Sequence, residues 1–319
     1  YFFLLITLPI FFWPIYTHLE RGQTDIVTLF FIFCSYGLWL REKSCLAGIF
    51  LAIGSIFKLP VLFLFSVPLA SYDKKFIFSG ILTFIAIIIF SIGINGYQLN
   101  RDYFFVYLPT IAKTGSLPDE IQNNSIVDAE NEYEINGVLY ENLVIGENTS
   151  GGSITRFTDN HKTGIIGFSF ALMSIILFLY KNNTELSKNI SWIFAMISIL
   201  LFHPMTHVMN YIWMLFILPT FIDVVINIDR RKYPNIKLLL YSFILISLFL
   251  IGLGGIPSNM ILDTVKSIYS FFELDLGYAK VIRFVHDFLY QRVLLGSIIL
   301  YISTLMIMKF WFILFPSNE

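Results

Sequence analysis

The chain has 319 residues, 56% of them hydrophobic and 13% charged, with a mean hydropathy of +0.73. A water-soluble domain carries about twice that share of charge, so the composition excludes one and points to a protein embedded in a bilayer. The net charge of −1 offers nucleic acid no footing, and two cysteines, Cys34 and Cys45, make neither a disulfide framework nor a metal spacing.

The first apolar run covers 1–16. It opens on Tyr1 rather than Met, with no basic stretch before it, as expected of a fragment whose upstream chain is missing. A polar stretch at 17–25 leads to a second run, 26–40, and then to the loop Arg41-Glu42-Lys43. The run 45–70 is interrupted at Lys58-Leu59-Pro60, where proline removes a ladder donor and crowds the preceding turn. Its 26 residues cannot hold two full spans, each of which needs about 20. Two short helices that rise and return, with Lys58 at their turn, are expected instead.

A span at 76–94 follows, then a long polar region, 95–163. Within that region 102–111 reads as a short amphipathic helix in the interface plane, its apolar side formed by Tyr103, Phe104, Tyr107 and Leu108. Asn136-Gly137, between apolar triplets, signals a hairpin. Spans are expected at 164–180, 190–202, 208–226, 238–256 and 293–315, with helices at 261–272 and 278–290 inside a second polar region, 257–291. The expected fold is therefore all-α: one polytopic transmembrane helical bundle over 1–319, with extracytoplasmic loops at 95–163 and 257–291.

Charge gives the orientation. The loops at 41–43, 72–75, 181–189 and 227–237 hold ten cations against four anions, which places them in the cytoplasm by the positive-inside rule. The acidic region 95–163 then falls outside, together with 20–25, Lys58 and the turn at 203–210.

That turn, His203-Pro204-Met205-Thr206-His207, lies between two apolar runs and is the most suggestive stretch of the chain. A His-Pro turn can be only a turn; it can also present imidazoles at a membrane face. Two histidines four apart do not complete a metal site, so no metal is expected, and a hydrogen bond to a phosphate or sugar hydroxyl fits better. Lys58, in an apolar setting, either aims its ammonium at an anionic group or snorkels to the outer interface. Gln23 stands among residues that can cap a helix but has no capping duty itself. Arg156 is suited to a phosphate, or is a solvated loop charge. Arg283, His286 and Asp287 read as parts of an interfacial helix.

These residues together resemble glycosyltransferase family 87, polyprenyl-phosphate-mannose-dependent mannosyltransferases of the GT-C class. The resemblance rests on Gly22-Gln23, Arg41-Glu42-Lys43, Ala47-Gly48 and Lys58-Leu59-Pro60. It continues through Tyr107-Leu108-Pro109, Asn123-Asn124-Ser125 and Ser153-Ile154-Thr155-Arg156 to His203-Pro204-Met205-Thr206-His207. It covers roughly residues 1–226. Asn124 stands where the family has glutamine, and His203 where it has serine.

The resemblance implies transfer of a hexose, mannose in the first instance, from a polyprenyl-phosphate donor to a lipid or glycan acceptor. The reaction would take place on the extracytoplasmic side of the cytoplasmic membrane. It implies no cofactor, and a base carboxylate in a loop upstream of residue 1. Lys58 and Arg156 would meet the donor phosphate, and Gln23, Asn124, His203 and His207 would position donor or acceptor. A transporter or flippase for a lipid-linked glycan is the alternative, since such proteins place ionisable groups on broken helices.

Overall fold

The structure is a computed structural model that describes residues 25–107, 161–203, 208–229, 232–252, 267 and 278–315. Among the described residues every regular element is helical. A chain in lipid requires this, because each segment must satisfy its own backbone polar groups. Five of these helices are long and apolar enough to cross a membrane: Lys74–Asn95, Lys162–Lys181, Glu185–Phe202, Pro234–Ile251 and Arg292–Lys309. The protein is an all-α polytopic membrane protein, as the composition predicts.

Helix α1 is Asp25–Leu40 and α2 is Ser44–Phe57. Pro60 stops α2. Lys58 leaves the helix in an extended conformation (φ −151°, ψ 98°), and the chain returns through a 3-10 helix, Leu59–Phe65, and the short α3, Ser66–Ala70. The return is proven by Ser44 Oγ, which donates to Asp73 Oδ2 at 2.6 Å from the far side of the excursion.

The sequence predicts two α-helical strokes; the second is mostly 3-10. The reason is length. The 14 residues of α2 rise about 21 Å at ~1.5 Å each. The return has only 7 residues of 3-10 helix and 5 of α3, and matches that rise because a 3-10 residue climbs ~2.0 Å. Neither stroke equals the ~30 Å of a hydrocarbon core, so the turn at Lys58 stops short of the far interface.

Helix α4, Lys74–Asn95, starts on the side chain of Asp73, which accepts from the Phe76 N–H at 3.1 Å. It packs closely on α2: a Cβ at Gly48 would collide with the Phe76 carbonyl and Ser79 Oγ. Its end is set by Gly96, whose φ of 83° a side chain would oppose. There the chain folds into α5, Tyr97–Asp102, and a π turn, Tyr103–Tyr107. The amphipathic helix predicted from residue 102 thus begins at Tyr97. Asn100 holds it against α4 through Ser91, whose hydroxyl donates to Asn100 Oδ1 at 2.8 Å. The predicted hairpin at Asn136-Gly137 lies outside the described residues.

Helix α6 is His161–Lys181 and α7 is Glu185–Phe202, opened by a reciprocal cap between Thr184 and Ser187. The hub of the bundle is α7. Of its span, 83% is buried, against 6% for α4. Tyr36 and Trp39 of α1 stack on its Trp192 with ring centroids 5.5 Å apart in each case. A 3-10 helix, Val208–Trp213, then leads to α8, Met214–Ile226, and α9 is Pro234–Gly252.

The last long helix, α10, runs unbroken over Tyr278–Lys309, and α11 is Trp311–Leu314. The sequence separates an interfacial helix at 278–290 from a span at 293–315. They are one helix to Lys309, because charged residues at its start do not interrupt the backbone ladder.

The helices sort the polar groups to two ends. At one end Asp73 also accepts from Trp39 Nε1 at 2.9 Å, and Lys188 lies 5.3 Å over the Trp39 ring. Burial pushes the Asp73 carboxyl up. The hydrogen bonds from Ser44, the Phe76 N–H and Trp39, with the Lys188 charge, outweigh that and hold it below its ordinary value. Three of the basic loops therefore meet here. The opposite end holds Asp25, Lys58, His203 and Trp213.

Candidate functional site

Lys58 Nζ donates to Asp25 Oδ1 in an ion pair between the turn after α2 and the start of α1. The Asp25 side chain is 3% exposed and that of Lys58 22%. The same Nζ lies 5.7 Å above the ring of Trp213, within cation–π range. Trp213 is fully buried, and its Nε1 has no hydrogen-bond partner among the described residues. Three separate stretches of chain thus converge: the start of α1, the break between α2 and α3, and the end of the 3-10 helix Val208–Trp213.

The other flank of the His203-Pro204 turn reaches the same place. His203 closes α7 in an extended conformation, its N–H bonded to the Ile199 carbonyl at 3.0 Å. Phe202, just before it, meets Phe168 of α6 edge-on at 6.1 Å, and Phe168 packs at a tilt against Phe63 of the 3-10 return at 4.9 Å. Both sides of the turn are therefore tied to the segment that carries Lys58. Lys58 is not a bare ammonium: Asp25 already neutralises it. The pair can serve an incoming polar group as donor and acceptor together.

Beside the pair opens a cavity of about 400 Å³ between the α2 turn, α4 and α5. Ile56 and Leu59, which flank the Lys58 break, form one wall, and Phe84, Ile88, Tyr103 and Asn100 line the rest. The cavity is mostly apolar.

Of the residues predicted from sequence, Lys58 and His203 are brought to one end of the bundle. Gln23, Asn124, Arg156 and His207 lie outside the described residues. Asp25 is the residue that sequence reasoning underrates. It reads as a cap for α1, yet it is 2% exposed and bound to a cation 33 positions away. A signal for it exists: a lysine in an apolar run needs an anion, and topology places Asp25 on its face. Trp213 gives no such signal, being one aromatic among many. Among the described residues no cluster of three metal-ligating side chains occurs.

The sequence model of glycosyltransferase family 87 matches residues 1–204, nearly two thirds of the chain. The chain belongs to glycosyltransferase family 87. It is a membrane-embedded glycosyltransferase, and the match takes in Asp25, Lys58 and His203 while stopping short of Tyr211, Trp213 and α10. No curated protein and no solved structure matches the chain. The family 87 region therefore supplies both partners of the ion pair, and Trp213 comes from beyond it.

Proposed function

We propose that this family 87 enzyme transfers a hexose, in the first instance mannose, from a polyprenyl-phosphate donor to a lipid or glycan acceptor. The transfer takes place at the bundle end that holds Lys58, on the extracytoplasmic side of the cytoplasmic membrane. The observation that carries the proposal is the Lys58–Asp25 pair under Trp213, at the end opposite the basic loops and between the flanks of the His203-Pro204 turn. The apolar cavity that starts at Ile56 and Leu59 supports a donor with a hydrocarbon tail: the tail lies along α4 while the phosphate and sugar reach the polar border.

In this reading Asp25 fixes Lys58, and Lys58 polarises the donor phosphate as negative charge develops on the leaving group. Arg156 supplies a second cation there, and Gln23, Asn124, His203 and His207 hydrogen-bond sugar or acceptor hydroxyls. Asp25, already engaged by an ammonium, is not the base that takes the acceptor proton. No cofactor enters the scheme.

The test is sugar transfer in membranes holding the full-length protein, with radiolabelled polyprenyl-phosphate mannose and a lipid extract, comparing wild type with His207→Ala. Label in a new product, lost in the variant, supports the reading. Label that crosses the bilayer still on its lipid favours the flippase alternative and sinks this one. Absence of transfer with mannose, but transfer with another hexose, corrects the sugar alone.

A further inference from the structure

A second cation at the same end is built differently from Lys58. Arg292 is 6% exposed, and its Nε and Nη1 have no hydrogen-bond partner among the described residues. Neither of the two ion pairs found among those residues involves it. A guanidinium does not escape burial by losing its proton, and its planar fork is shaped for two oxygens of a carboxylate or phosphate. A buried guanidinium with two nitrogens unpaired among the described residues can receive an anion.

Its position identifies the anion. Helix α10 runs from the Lys58 end towards the basic end. Past its middle, Ser297 Oγ donates to Tyr211 Oη at 2.9 Å, two residues before Trp213. Further on, Tyr301 meets Phe202 edge-on, and beyond the helix Trp311 meets Phe178. Arg292 stands five positions before Ser297, about 7 Å further out along the helix axis. From Arg292 to Lys309 the helix climbs about 26 Å, close to the thickness of a hydrocarbon core, so one such layer fits between the two cations. Lipid phosphates lie at the borders of such a layer.

Arg292 lies one turn before Gly296 on the same helix face, the face that packs on α9, where a Cβ at Gly296 would press against Ile251. It therefore approaches the border from within the protein rather than snorkelling along a lipid-facing surface.

We propose that Arg292 binds the phosphate of a lipid, a phosphate ester on a hydrocarbon tail, at the site end of the bundle. Two sources share that chemistry: the sugar donor itself, as the proposed function requires, and a resident membrane phospholipid. The probes are undecaprenyl phosphate and phosphatidylglycerol, each titrated into the full-length protein in phosphate-free maltoside detergent. Binding is read as tryptophan fluorescence change and as rise in Tm.

Wild type, Arg292→Gln and Arg292→Lys are compared. The proposal expects Arg292→Gln to weaken undecaprenyl phosphate binding at least tenfold, with Arg292→Lys intermediate because an ammonium keeps the charge but not the fork. If instead phosphatidylglycerol alone loses affinity, the phosphate site stands and belongs to a structural lipid. Unchanged affinity for both probes overturns the proposal. Should Arg292→Gln fail to fold, unchanged affinities in Arg292→Lys overturn it equally. Neither readout requires sugar transfer, so a wrong sugar in the transfer assay leaves this result intact.

Discussion

Lys58 and Asp25 stabilise each other in a setting where either alone is a liability. Removing one partner of a buried pair typically costs about 3–5 kcal/mol, because the other charge is left uncompensated, whereas replacing both by apolar groups costs far less. Lys58→Met and Asp25→Leu are each expected to lower the Tm in detergent sharply. The double variant should recover most of the loss while remaining inactive in transfer. Additive losses across the two single variants would show that the pair is not coupled in the folded protein. Trp213→Leu separates the pair from the ring above it, and is expected to cost transfer more than stability. The pair is half legible in the sequence. A lysine in an apolar run announces that it needs an anion, but hydropathy patterning has no means of naming one 33 positions away. Arg292 is invisible for the opposite reason. It begins a good apolar span, and only three-dimensional burial shows that no ion pair among the described residues answers its charge.

The broken stroke from α2 to α3 shows what the pattern does and does not reveal. Lys58-Leu59-Pro60 marks the break and loop parity requires the return. The 3-10 winding does not follow, because it is set by the length the return must cover and not by local preference. The same packing makes a sharp contrast between two glycines. A Cβ at Gly48 would strike the Phe76 carbonyl, a backbone group that cannot rotate away, whereas one at Gly37 of α1 meets nothing within 4 Å. Small residues let membrane helices approach this closely. Gly48→Ala is expected to destabilise by about 1–3 kcal/mol, the usual cost of overpacking. Gly37→Ala should be neutral or stabilising by up to ~1 kcal/mol through helix propensity. Thermal melts of the two variants in one detergent decide it, and equal effects would mean that α2 and α4 are not in contact as described. The long helix α10 reads as two segments in the sequence because its first turns are charged. Charge governs where a helix sits relative to lipid, not whether its backbone continues.

The whole bundle separates a basic end, knit by Asp73, Trp39, Ser44 and Lys188, from the end where Lys58, Asp25 and Trp213 meet. Orientation can be read by labelling. In a background where Cys34 and Cys45 are replaced by serine, Tyr72→Cys and Tyr97→Cys each put a thiol at an exposed position, at opposite ends of α4. A membrane-impermeant maleimide added to intact cells is expected to label the residue-97 thiol and to reach the residue-72 thiol only after permeabilisation. The reverse pattern would turn the molecule over and put the proposed site in the cytoplasm.

The hub position of α7 bears on how the protein is made. It is the least apolar of the five spans and the most enclosed, while α4 is the most apolar and the most exposed to lipid. A segment like α4 can leave the insertion machinery and dissolve in the bilayer by itself. A segment like α7, with Ser187, Asn189, Ser191 and Ser198 along its buried length, gains little from lipid and much from protein. It must be held until its neighbours are in place to receive it. The helix that delivers His203 to the site is thus the one whose membrane insertion depends most on the rest of the chain, so biogenesis and activity share a bottleneck.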